Sequence, residues 1–115
     1  MTVNLGVVMD PIDSINPNKD STLAMLLAAQ KKGWNLFYMQ ASDIALSRQK
    51  VVASMHPVTV QDDPSQWFEL GKTQEMELAD LDVILMRKDP PFDMQYIYTT
   101  YLLEQAEAEG VVVVN

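Results

Sequence analysis

The chain has 115 residues, 48% of them hydrophobic and 21% charged, with a formal net charge of −8 and no cysteine. That is one domain with enough residues to bury a core, and it excludes disulfides, thiolate metal sites and a cysteine nucleophile. An acidic surface of this size repels phosphate backbones and argues against nucleic acid as a partner.

No apolar run approaches a bilayer span. The start, MTVNLGVVMD, lacks the basic head and long apolar centre of a secretory signal. The expectation is a cytoplasmic protein with no membrane contact.

Residues 5–9, LGVVM, predict a strand buried on both faces, being apolar and rich in β-branched residues. Asp10-Pro11 ends it, and the loop DPIDSINPNKD follows. A helix is predicted over 21–32. Asp20 or Ser21 can accept from a free amide at its start, and Leu23, Leu26, Leu27 and Gln30 share one face. Lys31 and Lys32 suit the negative end of the helix dipole, and Gly33 is a left-handed stop. WNLFYMQ, 34–40, alternates as a second strand. Strand, helix, strand at this spacing is a βαβ unit, which implies parallel pairing.

Residues 43–48 and 51–61 carry β-branched side chains without a helical period, and predict a hairpin turning near Gln49-Lys50. Residues 62–78 are polar, with Pro64 and Gly71; they read as a loop or short helix packed by Trp67 and Phe68. A third core strand is predicted over 81–86. Asp93 caps a helix running to about Glu109, with Ile97, Thr100, Tyr101 and Leu103 inward and Glu104 and Glu107 outward. Gly110 stops it, and VVVV at 111–114 predicts a buried strand. The fold expected is α/β, a Rossmann-like open, mainly parallel sheet with helices on both faces and a small β-hairpin insertion. A central-type strand at the last residues points to the front part of something longer.

Open parallel sheets bind ligands beyond the carboxyl ends of their strands. Two polar clusters fall there, MDPIDSIN after the first strand and MRKDPPFD after the third. If those strands are neighbours, both loops open on one crevice. Arg87 is the best anion handle in the chain, because a guanidinium matches a carboxylate with two parallel hydrogen bonds. Pro90 and Pro91 fix two φ angles and extend their predecessors, which holds Arg87 and Asp89 in place. The plainer reading is a solvated strand end, with Asp89 pairing Arg87 or Lys88. Asp10-Pro11 likewise suits a turn, Lys19-Asp20-Ser21 a helix cap, and the lone His56 an ordinary strand residue. Met9, Met25, Met39 and Met86 read as core filling, and Trp34 and Trp67 as packing. Neither a G-x-G-x-x-G nor a P-loop pattern is present, and no carboxylate set is evident for magnesium.

LGVVMDPI, KDSTLAMLLAAQ, DLDVILMRKDPPFD and YIYTTYLLEQAE, taken together and in order, resemble the N-terminal domain of bacterial glutathione synthetases. The resemblance runs through the whole chain and is weakest over 41–78. It implies a single pre-ATP-grasp, substrate-side domain over 1–115. The enzymes of that family join γ-glutamylcysteine to glycine with ATP and magnesium, through an acyl phosphate on the cysteinyl carboxylate. It further implies that Arg87 lies at the peptide-substrate site, with Asp89 and the Asp10 loop supporting it, and that the whole protein is a homo-oligomer. ATP and magnesium would be held by an ATP-grasp domain of the same protein, outside these residues. No cofactor is expected in this fragment, which would be inactive alone. The alternatives are a non-catalytic α/β binding or interaction module, or another ATP-grasp ligase joining an amino acid to a peptide.

Overall fold

The computed structural model describes residues 2–12, 21–63, 65–87 and 93–114. The chain order is β1 (Asn4–Met9), α1 (Ser21–Lys31), β2 (Asn35–Met39), β3 (Ile44–Ser47), β4 (Lys50–Val60), β5 (Phe68–Leu70), β6 (Gln74–Glu77), β7 (Val83–Arg87), α2 (Met94–Ala108) and β8 (Val112–Val114). Strands β2, β1, β7 and β8 lie side by side and parallel. The α/β architecture expected from the sequence is therefore present.

Alternation along the parallel strands divides the core in two. Leu5, Val7 and Met9 of β1, Leu36 and Tyr38 of β2, and Leu85 of β7 pack with Leu23, Leu26 and Ala29 of α1. Their neighbours Val8, Phe37, Met39, Ile84 and Met86 point the other way and pack with Leu102, Leu103 and Ala106 of α2. β1 is buried on both sides because it has a strand on each edge and a helix over each face. On the α2 side, a Cβ at Gly6 would stand 2.6 Å from the Leu81 side chain and 2.8 Å from that of Met39. Both helices end on left-handed glycines, Gly33 (φ 84) after α1 and Gly110 (φ 103) after α2.

The antiparallel part is larger than a single hairpin. β4 carries β2 and β3 along one edge and β5 and β6 along the other. The region 62–78 thus holds two strands where a loop or short helix is expected. They are three and four residues long, too short to show a period, and β4 supplies their pairing. Trp67 is buried beneath them, with Phe68 edge-on to it at 4.9 Å. Pro57 sits where β5 gives way to β6. Its carbonyl accepts from Gly71 N at 2.7 Å, and its missing N–H interrupts no ladder there. The hairpin turns at Arg48-Gln49, one residue earlier than expected. Both residues have positive φ (51 and 67), the form that matches strand twist in a two-residue turn. Gln105 of α2 donates to the Gln49 carbonyl at 3.0 Å.

Three further expectations are corrected. On α2 the buried residues are Thr99, Leu102, Leu103 and Ala106, whereas Ile97 is 41% and Tyr101 63% exposed. The first turns are apolar on every side, so composition does not single out the inner face. Val112 and Val114 are exposed on β8, which is the sheet's edge strand; only Val111 is fully buried there. Met25 is 41% exposed on α1, unlike Met9, Met39 and Met86, which are core.

Candidate functional site

β1 and β7 are direct neighbours, and the register sets Met9 opposite Arg87. The loops after both strands therefore leave the sheet at the same edge, as the two-cluster reading requires. Arg87 lies two residues after Leu85 on β7, shares its face and so projects to the α1 side. There its Nε donates to Thr22 Oγ1 at 3.2 Å and its Nη2 to Ser21 Oγ at 2.7 Å. The guanidinium is half-buried against the first turn of α1, with no carboxylate partner among the described residues.

That placement has an electrostatic consequence. The start of a helix carries a partial positive charge and unpaired N–H groups. No acidic residue stands in the first turn of α1, and a full cation has been brought to it. Two positive sources converge on one point at the carboxyl edge of the sheet. A site of this kind favours an anion.

Asp10 follows Met9 directly, on the same edge, and is partly exposed. Its loop is anchored two residues on, where Ile12 is buried and its N–H donates to the Tyr38 hydroxyl at 3.2 Å. Asp89, Lys88, Pro90, Pro91, Lys19 and Asp20 lie outside the described residues. The structure thus brings Arg87 and the Asp10 loop together and adds Ser21 and Thr22, read from sequence only as part of a helix start. The available signal was topological: in a βαβ unit, the first helix begins at the edge where a neighbouring strand would end.

His56 has a local task. Its Nδ1 donates to the Gly71 carbonyl at 2.9 Å, Thr73 Oγ1 lies 3.1 Å from its Nε2, and its ring stacks on Tyr38 at 6.3 Å. This pins the link between β5 and β6. A cleft of about 650 Å³ opens at the other end of β2, lined by Trp34, Leu36, Pro57 and Leu70 among others. Among the described residues Glu69 is its sole charged lining residue, and none of them offers a cation to a carboxylate. Next to it, the Gln30 amide both donates to the Val60 carbonyl at 2.7 Å and accepts from Val60 N at 2.9 Å.

Residues 3–115 match the family model described as prokaryotic glutathione synthetase, N-terminal domain. The chain is 63% identical over all 115 residues to a glutathione synthetase of Pseudomonas putida. It is 52% identical over 113 residues, 98% of its length, to one of Shewanella oneidensis, and 51% identical over 113 residues to one of Salmonella typhimurium. In each case it spans 36% of the relative's own length.

Proposed function

Because the chain belongs to the family of prokaryotic glutathione synthetase N-terminal domains, we propose that it forms the peptide-substrate wall of an ATP-dependent ligase joining γ-glutamylcysteine to glycine. The observation that carries this is the placement of Arg87. It stands at the carboxyl end of a central strand, against a first helical turn that holds no acid, with no carboxylate partner among the described residues. On this reading a carboxylate of the dipeptide meets both positive sources there, and Asp10 supports the site from the loop after β1; a supporting role for Asp89, outside the described residues, rests on the family resemblance alone.

These residues do not fit the nucleotide or its metal. No group of three or more His, Asp or Glu among the described residues is placed to hold an ion. No glycine-rich loop follows β1. ATP and magnesium would be bound by an ATP-grasp domain of the same polypeptide, and the 115 residues alone are expected to ligate nothing. The same reading includes a homo-oligomer and a cytoplasmic location; no helix among the described residues is long and apolar enough to cross a membrane.

The test is to exchange these 115 residues for the matching stretch of the Pseudomonas putida enzyme and assay ligation. ATP- and glycine-dependent consumption of γ-glutamylcysteine is the expected result; a folded chimera without it overturns the proposal. Within that enzyme, Arg87→Ala should weaken use of the peptide by about 1.5–3 kcal/mol, the worth of a hydrogen bond to a charged group, and leave the KM for ATP in place.

A further inference from the structure

A guanidinium has five N–H groups arranged in two usable edges. The side edge of Arg87, Nε–H with one Nη2–H, is taken: Thr22 Oγ1 accepts at 3.2 Å and Ser21 Oγ at 2.7 Å. The end edge, Nη1–H with the second Nη2–H, is engaged by no described residue. Thr22 is 2% exposed in the first turn of α1. Its hydroxyl is held by packing and by a stiff, β-branched χ1, so it is a fixed acceptor. Two adjacent acceptors on one rigid turn determine the plane of the guanidinium as well as its position.

Resting on the reading of Arg87 as the substrate handle, we infer that Ser21 and Thr22 are positioning residues of the site. They hold the side edge so that the peptide's carboxylate docks end-on, to Nη1 and Nη2. A lysine could not replace this arginine, because an ammonium has no second edge to anchor. Holding the arginine still before substrate arrives removes part of the ordering cost of binding.

Two measurements test this. In the 115-residue chain, the Arg87 Nε–H proton should exchange slowly with water by ¹⁵N NMR, and rapidly in Thr22→Val. Equal exchange in both overturns the lock. In the ligating chimera, Ser21→Ala and Thr22→Val should each raise the KM for γ-glutamylcysteine by about tenfold or somewhat less, the range of one hydrogen bond. The kcat and the KM for ATP should hold, and Thr22→Ser should restore the parent value. In an Arg87→Ala background neither change should add anything, because a positioning residue acts only through the group it positions. Full additivity, or an unchanged KM in both hydroxyl variants while Arg87→Ala raises it, overturns the inference. An unchanged KM in Arg87→Ala overturns the underlying site reading instead, and leaves the exchange result to judge the lock. If Thr22→Val does not fold, the exposed Ser21→Ala decides the kinetics alone.

Discussion

α1 and α2 begin at the same edge of the sheet, after neighbouring strands, and neither holds an acid in its first turn; they differ in which described side chain meets that turn. α2 closes its own start: Asp93 sits at the N-cap and its carboxylate accepts from Tyr96 N at 3.0 Å. α1 has no acid in its first turn and receives the Arg87 cation there. The far ends are reversed. Lys31 stands in the last turn of α1, favourable for the dipole, while the last turn of α2 holds no basic residue. Among the described residues, a carboxylate meets the start of α2 and a guanidinium meets the start of α1. The start that receives the guanidinium is the one beside the crevice, where the proposed function sets a substrate carboxylate.

The comparison can be pressed at several points. The largest effect belongs to the depth of α2. Leu103→Ala, at 3% exposure, should cost about 2–5 kcal/mol in urea unfolding, whereas Tyr101→Ala on the outer face should stay within about 0.5 kcal/mol. Equal losses would mean the inner face is misassigned. Next, Asp93→Ala should cost about 1 kcal/mol by removing the cap of α2; Ser21→Ala in α1 should cost less, because its hydroxyl serves Arg87 rather than the helix. A cap-sized loss at Ser21 would erase the distinction between the two starts. Smallest is a change that sets a carboxylate within the first turn of α1. Ser21→Asp should raise stability by roughly 0.3–1 kcal/mol, as an acid at a helix start does. It should also weaken peptide use by neutralising Arg87, a trade of function for stability. A variant that is both more stable and equally competent would remove the idea that this start is left open for substrate.

Much of this was legible in the residues. LGVVM, the helix from Ser21, WNLFYM and VILM carry their assignments in composition and period, and Gly33, Asp93 and Gly110 mark boundaries that the structure keeps. The inner face of α2 was not legible. Met94, Ile97, Tyr98 and Tyr101 form as good an apolar stripe as Leu102, Leu103 and Ala106, and only packing chooses between them. β5 and β6 escaped because short polar strands exist by virtue of the strand beside them. At the site, Arg87 announced itself as a charge at a strand end. Its partners Thr22 and Ser21 lie 65 and 66 residues away, and nothing local in either stretch points to the other.

That separation bears on how the molecule forms. β1 can pair with β2 through a single short helix, but its other neighbour, β7, arrives only after the whole antiparallel portion has been made. The bond from Asn4 N to the Asp82 carboxylate closes a loop of 78 residues. Pairings this distant form late and slow the folding of small domains, because the chain must surrender loop entropy before any contact rewards it. The contact between Arg87 and α1 belongs to that last closure. A partly folded chain could hold β1, α1 and β2 in good order and still lack the contact between Arg87 and the start of α1. The Arg87 side chain, which meets α1 only when β7 is in place, is therefore a natural reporter of when that closure is complete.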